Sequence, residues 1–387
     1  MTSNTTRCYI TAHSLFCSLG DNAKEIVSQV QNINQENYEA YLQHLFAQKP
    51  YYHLNQTFNS EEEKLYGVID HVVKACIREA HLSEEEQKEL AIFIGSTAMG
   101  ISLNEEAHAR YDQGKSDKKF HHIGYGYLGD LVETLTHSDH KALLFSTACT
   151  SSVNALAYAS KMISSKQIKR ALVVGIELFN KATYNGFSSL MLLSKSKVYR
   201  PFDKQSDGII LGEACSALLL ESEPRSAEDF YYKGSKNICD IYSETTSNPS
   251  GEPIFRTMDE ALNNANVTLK EIDFIKAHAT GSENNNTSEA NAIALLFKKH
   301  GTTTPITALK PFIGHTLGAS GTNEIALTLS CLKEGFIPPT LGFQERADGV
   351  SFTPLLNPLK LDGKKTNVLF NFVAFGGNTT SLVLSNG

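Results

Sequence analysis

The sequence predicts an α/β fold with a largely parallel sheet, and three observations support that class. Short apolar runs typical of buried strands recur along the chain. Stretches with apolar residues at helical spacing lie between these runs, which is the alternation expected of α/β layers. Segments of the second half repeat the plan of segments in the first, which indicates two similar halves, although chance echoes of this kind occur in other α/β chains.

The individual elements follow from these patterns. Five runs of aliphatic and aromatic residues are predicted as strands: Ala91–Gly95, Ala142–Phe145, Ala171–Gly175, Phe274–Ala277 and Val368–Phe372. Three stretches with apolar residues three and four positions apart are predicted as helices: Ser152–Ser165, Thr287–His300 and Thr322–Glu334. Gly301 and Gly335 follow the last two stretches, and glycine is a frequent helix terminator.

The repeat places the boundary between the halves near residue 225. The run Lys169–Gly175 is followed by Gly212–Leu220, and Lys365–Asn371 is followed by Gly377–Leu384 in the same arrangement. We predict an N-terminal half at residues 1–225 and a C-terminal half at residues 226–387. The segment Pro224–Asp229 fits a turn between them better than a flexible linker, because it is short and has no Gly/Ser run.

Composition argues against several classes of function. The chain has 387 residues, and its net charge of −7 makes a general nucleic-acid-binding surface unexpected. Seven widely spaced cysteines without a CxxC pattern predict neither a disulfide framework nor a zinc site, so we expect no metal. The N-terminal stretch lacks a continuous apolar segment, and no apolar run approaches the ~18 residues of a membrane span. We therefore expect a cytoplasmic protein.

Cys149 is the cysteine best placed for chemistry. It lies in the sequence STACTSS, directly after a predicted strand and before a predicted helix. The N–H groups and dipole of a helix N-terminus favour an anion, so we expect a lowered thiol pKa and a nucleophilic thiolate. A buried structural role is the alternative, and it is the interpretation given to the other six cysteines.

Two histidines accompany this cysteine. His278 follows a predicted strand, and His315 has a glycine before it and another three residues after it, which lets the backbone approach a ligand closely. One cysteine with two such histidines is a constellation suited to acyl transfer.

The Gly376-Gly377 turn could expose backbone N–H groups as part of an oxyanion hole, or could be an ordinary hairpin.

Five segments together resemble the β-ketoacyl-ACP synthase family of condensing enzymes. They are STACTSSVNAL, YRPFDKQSDGIILGEA, KAHATGSENNNTSEANAI, ALKPFIGHTLGASGTNEIAL and NFVAFGGNTTSLVL, in the family's order. The resemblance covers most of the chain from about residue 91 onward. It implies a thiolase-like fold, in which two similar halves build five αβαβα layers, usually as a dimer.

The resemblance also implies roles for particular residues. Cys149 is expected to be the acyl-accepting nucleophile, with His278 and His315 as the pair that supports decarboxylation. Lys310 is expected near the first histidine, and Glu324 is expected as a structural carboxylate. The remaining expectations are an oxyanion hole and gate at Cys149, Phe375 and Gly376, substrate contacts at Thr280, Ser282, Ala98 and Phe202, and carrier-protein contacts at Arg200, Lys195 and Lys197.

The implied reaction is a decarboxylative Claisen condensation. An acyl group on Cys149 would react with malonyl-ACP to give 3-oxoacyl-ACP, in fatty-acid, type II polyketide or aryl-polyene biosynthesis. No cofactor is expected, since the substrates are carried on the phosphopantetheine arm of acyl carrier protein. The expected partners are that carrier and a second ketosynthase-like chain in a homodimer or heterodimer. The alternative is a partner subunit that mainly determines chain length.

The sequence departs from the family at several positions. Ala279 stands where relatives usually have glycine, and Asn286 stands where they have aspartate. These departures favour a specialised relative over a housekeeping fatty-acid enzyme. Ala98 replaces a bulkier aliphatic residue, which predicts an acyl pocket open to longer or rigid chains.

Overall fold

A computed structural model of the chain describes residues 6–46, 49–122, 124–361, 363 and 365–387. Its strands are β1 Cys8–Phe16, β2 Tyr51–Tyr52, β3 Ala91–Gly95, β4 Leu143–Phe145, β5 Arg170–Glu177, β6 Leu211–Gly212, β7 Ala214–Glu221, β8 Phe230–Cys239, β9 Phe274–Lys276, β10 Ile306–Thr307, β11 Phe336–Ile337, β12 Leu359–Lys360, β13 Asn367–Val373 and β14 Asn378–Ser385. Its α-helices are α1 Ala23–Asn32, α2 Tyr38–Leu45, α3 Glu61–Glu79, α4 Glu84–Lys88, α5 Ile101–Asp112, α6 Tyr127–Thr136, α7 Ser151–Ser164, α8 Lys181–Ser189, α9 Glu252–Ala265, α10 Glu283–His300, α11 Lys310–Ile313 and α12 Ser320–Lys333. Short 3-10 turns lie at Leu269–Glu271, Leu317–Ala319 and Phe375–Gly377.

A ten-stranded sheet organises the molecule, in the order β10-β9-β13-β14-β8-β1-β7-β5-β3-β4. From its centre outward, one half runs β1-β7-β5-β3-β4 and the other runs β8-β14-β13-β9-β10. In each half the two inner pairs are antiparallel and the two outer pairs are parallel, so the sheet is mixed and the prediction of a largely parallel sheet is wrong. The halves meet where β1 pairs with β8. This repeated order confirms the prediction of two similar halves.

Alternating side chains of the strands build three apolar layers. Phe93 of β3 packs in a central cluster with α7 and α12, whereas its neighbours Ile92 and Ile94 pack on the opposite face with α3 and α6. In the C-terminal half, Phe370 of β13 belongs to the central cluster, and Leu369 faces an outer cluster with α9 and α10. Helices therefore cover the outer face of each half-sheet and also fill the space between the two half-sheets. This is the predicted αβαβα architecture.

The five predicted strands and three predicted helices are all present, with small shifts of their ends, whereas further elements, among them β1 and β8, were not predicted. In β1 the polar residues His13 and Ser14 interrupt the apolar run. Both side chains are nevertheless buried, because His13 Nε2 lies 3.0 Å from Ser330 Oγ and Ser14 Oγ donates to the Val72 carbonyl at 2.6 Å. Buried polar groups of this kind are tolerated when they are hydrogen-bonded.

The connection between the halves is a tight turn between β7 and β8. The Asp229 carboxylate accepts hydrogen bonds from the backbone N–H groups of Arg225 and Ser226 at 2.7 and 2.8 Å. The division at residue 225 stays a prediction, and it falls within this turn. Across the part of the chain that the structure describes, no helix has the length and apolar character of a membrane span. Residues 1–5, part of the N-terminal stretch considered above, lie outside the described residues.

Candidate active site

Cys149 lies in a sharp turn between β4 and α7. The preceding residue, Ala148, has φ +51°, a left-handed conformation that is costly for a residue with a Cβ. The turn is held by the Ser151 hydroxyl, which accepts from Thr147 N–H at 2.8 Å and donates to the Ala148 carbonyl at 2.6 Å. This geometry presents the Cys149 side chain to a cavity at the junction of the two halves.

His315 approaches the cysteine from the C-terminal half. Its Nε2 lies 3.2 Å from Cys149 Sγ, and its Nδ1 lies 3.1 Å from Ser320 Oγ. The loop is fixed by the N-terminal half, because His315 N–H donates to the Ile210 carbonyl and Gly212 N–H donates to the His315 carbonyl. Ser320 can donate or accept, so it supports either imidazole tautomer. Sequence analysis did not single out Ser320.

His278 follows β9 and stands perpendicular to His315. The two ring centres are 5.3 Å apart, with an angle of 85° between the planes. Lys310 Nζ lies 3.3 Å from His278 Nδ1 and donates to the His278 carbonyl at 2.6 Å. An ammonium group can only donate, so Nδ1 accepts and the proton of the neutral ring lies on Nε2. Lys310 therefore fixes the tautomer that can donate to a substrate.

Burial sets the protonation state of all three side chains. It raises the pKa of Cys149 to about 12, even though Lys310 and the backbone N–H groups of Phe375 and Cys149 act in the opposite direction. The expectation of a lowered thiol pKa is therefore wrong for the resting site, because loss of solvent outweighs these favourable contacts. Burial, followed by the charge of Lys310, lowers the pKa values of His278 and His315 well below the ordinary value, so both imidazoles are neutral.

A cluster of buried charges lies behind the histidines. The Glu324 carboxylate accepts from Lys310 Nζ at 2.7 Å through one oxygen and from Lys276 Nζ at 2.6 Å through the other. All three side chains are fully buried. Glu289 accepts from the backbone N–H groups of His278 and Ala279 at 2.6 and 2.7 Å, which holds this segment in place. Lys310 and Glu324 were predicted from the sequence, whereas Lys276 and Glu289 were not.

Aromatic rings form one wall of the entrance. Phe375 stacks on Phe187 with ring centres 5.7 Å apart, and both line the cavity. The backbone N–H of Phe375 is a hydrogen-bond donor to Cys149 Sγ, and its role in an oxyanion hole stays a prediction. The N–H of Gly376 instead donates to the Glu244 carbonyl at 2.7 Å, so it is not free for that purpose. A Cβ on Gly377 would overlap the Asp240 carbonyl oxygen, so only glycine fits there.

The cavity itself measures about 350 Å³ and reaches from the surface to the cysteine. Cys149, His278 and His315 line its inner part, and the side chains of Thr280 and Ser282 line its wall. Asn285 is 6% exposed and also lines the cavity, and its carboxamide oxygen accepts from Thr280 N–H at 2.9 Å. Within the described residues its buried Nδ2 has no acceptor.

Three of the predicted contact residues, two for substrate and one for the carrier protein, do not lie where those contacts require. The ring of Phe202 is fully buried against Phe352, 5.0 Å away, because φ +60° at Phe202 directs it into the C-terminal core. Arg200 is 8% exposed, since its guanidinium donates to Glu39 at 2.6 Å. Ala98 borders a separate space of only about 10 Å³, so the described residues leave no open acyl pocket beside it.

Other predicted positions are accessible. Lys195 and Lys197 are exposed on the loop after α8. This loop is tied to the cavity wall, because the Asp207 carboxylate accepts from Lys195 N–H at 3.1 Å and from Ser196 N–H at 2.6 Å. Both lysines therefore stand beside the entrance.

One further carboxylate joins loops from the two halves. Glu177, at the end of β5, accepts from the N–H groups of Thr97 and Ala98 at 2.9 and 2.8 Å. It also accepts from Gly318 N–H at 3.0 Å, in the loop that follows His315. Glu177 was not predicted from the sequence, and it holds the histidine loop against the N-terminal half.

The duplicated half-sheets and the cysteine–histidine–histidine cavity at their junction define a thiolase-fold protein. The chain belongs to the β-ketoacyl synthase family. The family model described as the β-ketoacyl synthase N-terminal domain matches residues 68–226, and the C-terminal domain model matches residues 231–344. This confirms the resemblance seen in the sequence.

Individual relatives agree with this assignment. The chain is 28% identical over 250 residues to 3-oxoacyl-[acyl-carrier-protein] synthase 2 of Coxiella burnetii. The match covers 62% of this chain and 60% of the relative, so the chain spans about three fifths of that protein's length. A ketosynthase in complex with its chain length factor from Xenorhabdus doucetiae has the same fold, with a TM-score of 0.80 at 24% identity and 98% coverage of each chain. A type II polyketide ketosynthase in complex with its acyl-carrier protein has a TM-score of 0.84 at 18% identity, covering 99% of this chain and 100% of that chain.

Proposed function

We propose that the protein is a β-ketoacyl-ACP synthase, an acyltransferase that condenses malonyl-ACP with an acyl group held on Cys149. The observation that carries the proposal is the convergence of Cys149 Sγ, His315 Nε2 and His278 at the bottom of one cavity. A nucleophile, a base at hydrogen-bond distance and a second neutral donor are the groups that acyl transfer and enolate formation require.

The first half-reaction is transfer of the acyl group from the carrier. His315 Nε2 accepts the thiol proton as Cys149 Sγ attacks the thioester carbonyl, and the N–H groups of Cys149 and Phe375 stabilise the negative charge on its oxygen. The bond from the carbonyl carbon to the carrier sulfur then breaks, and the proton held on His315 passes to that sulfur. The products are acyl-Cys149 and the free carrier thiol.

The second half-reaction is decarboxylative condensation. The bond between the malonyl carboxylate and the adjacent carbon breaks, carbon dioxide leaves, and the electron pair forms the enolate of the carrier thioester. His278 and His315 donate to the enolate oxygen, and its carbon attacks the carbonyl of acyl-Cys149. The carbon–sulfur bond breaks, Cys149 takes up one proton, and 3-oxoacyl-ACP leaves.

The walls of the cavity suit the arm that carries these substrates. Thr280 and Ser282 offer hydroxyl groups for hydrogen bonds along the route to Cys149. Phosphopantetheine has amide groups that can use such donors and acceptors. We propose that Lys195 and Lys197, rather than the buried Arg200, contact an acidic carrier at the entrance. No separate cofactor is part of the proposal, and we place the reaction in the cytoplasm.

The open edge of the sheet suits a second ketosynthase-like chain. Among the described strands, β4 pairs only with β3, and Leu143 on this edge is 44% exposed. Phe145 and Tyr158 lie beside it, with ring centres 5.7 Å apart. An unpaired edge with apolar side chains is a site for pairing with another chain. The partner is either a second copy or a related chain, and the relative from Xenorhabdus forms a complex of the second kind.

A mainly chain-length-determining role is the alternative that the structural relatives raise, since the Xenorhabdus ketosynthase is paired with a chain length factor. The presence of Cys149, His278 and His315 favours the catalytic role. Fatty-acid, polyketide and aryl-polyene pathways all use this reaction, and the substitutions at Ala279 and Asn286 favour a specialised pathway.

Intact-mass measurement after incubation with acyl-ACP separates these roles. We expect the wild-type chain, alone or co-expressed with its partner, to gain the mass of the acyl group, and Cys149→Ala to gain none. A Cys239→Ala variant is the matched control, because Cys239 is exposed and lies outside the cavity. Acylation that persists in Cys149→Ala would reject the catalytic proposal. The proposal would also be rejected if the wild-type chain were acylated by none of a series of acyl groups, from short and saturated to long and rigid.

A further inference from the structure

A second buried lysine contacts the catalytic cluster, and the reaction described above gives it no task. Lys276 lies at the end of β9, two residues before His278. Its Nζ donates to Glu324 Oε2 at 2.6 Å and to the Asn371 carbonyl at 3.1 Å, and it lies 3.5 Å from the centre of the Phe372 ring. A lysine is expensive to bury, so such a complete set of contacts calls for a physical reason.

Lys276 adds a second positive charge to the groups behind the histidines. Lys310 and Glu324 alone would make a neutral ion pair behind His278. Because Lys276 occupies the second oxygen of Glu324, two ammonium groups, rather than Lys310 alone, face the carboxyl groups of Glu324 and Glu289. The other nearby carboxyl group, Glu289, is directed at the backbone N–H groups of His278 and Ala279 and at Asn371 Nδ2.

We propose that Lys276 is a positioning residue for the condensation step: it fixes Glu324 between two ammonium groups and supplies the positive field that stabilises the enolate oxygen at the two histidines. This inference rests on the proposed function and adds a residue to it. In a buried site the field of such a charge is weakly screened, so it acts on the developing oxyanion without touching it.

The groups around the histidines support this assignment. Five groups face the imidazole pair: Lys276 from β9, Lys310 from α11, Glu324 from α12, Glu289 from α10 and Cys149 from the turn before α7. The charge of Lys276 contributes to the lowered pKa values of both His278 and His315. Burial also lowers the pKa of Lys276 to about 8, so its own charge is lost as the pH rises through that value.

The test compares the two half-reactions in Lys276 variants. Lys276→Gln keeps a donor for Glu324 but removes the charge, and Lys276→Met removes both. We expect kcat for malonyl decarboxylation to fall by about tenfold or more in each variant, with KM changed by less than about twofold. Acylation of Cys149, measured by intact mass, should change much less, because Lys276 does not act on the thiol. Lys64→Met is the matched control, because it removes a lysine from another buried carboxylate. In the wild type, Lys64 Nζ lies 2.6 Å from Glu213 Oε2.

The pH dependence adds a readout that a purely structural role would not move. In the wild type we expect the decarboxylation rate to fall on the alkaline side near pH 8, where Lys276 loses its proton. In Lys276→Gln this alkaline limb should disappear, and the acid limb should move to higher pH because the imidazoles lose a neighbouring positive charge. The wild-type profile can be measured even if a variant does not fold.

Lys276→Gln with wild-type kcat and pH profile would overturn the inference, as would a wild-type rate with no alkaline limb up to about pH 10. Equal loss in Lys276→Gln and Lys64→Met would also overturn it, since the effect would then be one of stability. These outcomes leave the proposed function standing. A wild-type chain that never acylates Cys149 would instead reject the proposed function itself.

Discussion

Cys149 combines a buried sulfur with a neutral imidazole at hydrogen-bond distance. Because burial raises its pKa to about 12, little thiolate exists at neutral pH and reaction requires proton transfer to His315. We expect the rate of alkylation of Cys149 by iodoacetamide to rise with pH from about 6 to about 10 without a plateau. In His315→Ala the rate at neutral pH should fall about a hundredfold. Peptide mass spectrometry measures each cysteine separately, with the exposed Cys239 as internal control. A plateau at or below neutral pH would contradict this account, because it would show a stable thiolate.

At the scale of elements, the turn between β13 and β14 positions both the backbone N–H and the ring of Phe375. Gly377 has φ +80°, and a Cβ there would overlap the Asp240 carbonyl oxygen, whereas a Cβ on Gly376 at φ +75° would meet open space. We therefore expect Gly377→Ala to slow acylation of Cys149 about tenfold or more, by displacing an oxyanion donor. Gly376→Ala carries similar backbone strain without the overlap and should have a smaller effect. Stopped-flow acylation rates measure both, and equal losses would show that the overlap is not responsible.

For the whole molecule, the open β4 edge predicts assembly through the sheet. We expect the chain to form a dimer, with itself or with a co-expressed related chain, and Leu143→Lys to weaken it because a charge would be buried at the edge. Leu295→Lys is the control, since Leu295 is 36% exposed on α10, away from this edge. Light scattering coupled to size-exclusion chromatography gives the mass of each species. A dimer that Leu143→Lys leaves intact would place the interface elsewhere.

Much of the fold could be predicted because the buried strands are continuous apolar runs and the central helices have clear apolar spacing. The strand β1 escaped prediction because His13 and Ser14 are buried through hydrogen bonds that only distant residues supply. The strand β8 contains Lys233 and Lys236 among aromatic residues, a pattern typical of a surface segment. In both strands the tertiary environment, rather than local sequence, determines the element.

The site was predicted where small residues flank a reactive side chain, as at Cys149, His278 and His315. The supporting residues were harder to find, because a lysine such as Lys276 in the run FIKA gives no sign that it pairs with Glu324 on a later helix. Phe187 was missed as the ring that stacks on Phe375, and Phe202, predicted as a substrate contact, packs against Phe352 in the C-terminal core. The thiol pKa was predicted in the wrong direction, since the sequence shows the helix start but not the depth of burial.

The central claim is that the sulfur of Cys149 and the two neutral imidazoles of His278 and His315 catalyse the formation of a carbon–carbon bond between the substrates in this cavity. Its most direct test is to isolate the acyl-enzyme, add malonyl-ACP labelled with ¹³C in the two carbons that remain after decarboxylation, and determine the masses of both proteins. The account predicts that the acyl group leaves Cys149 and that the carrier gains a 3-oxoacyl group two labelled carbons longer. A His278→Asn/His315→Asn double variant, acylated by prolonged incubation, should keep its acyl group. An acyl-enzyme that persists with malonyl-ACP in the wild type, or equal product from the double variant, would contradict the account.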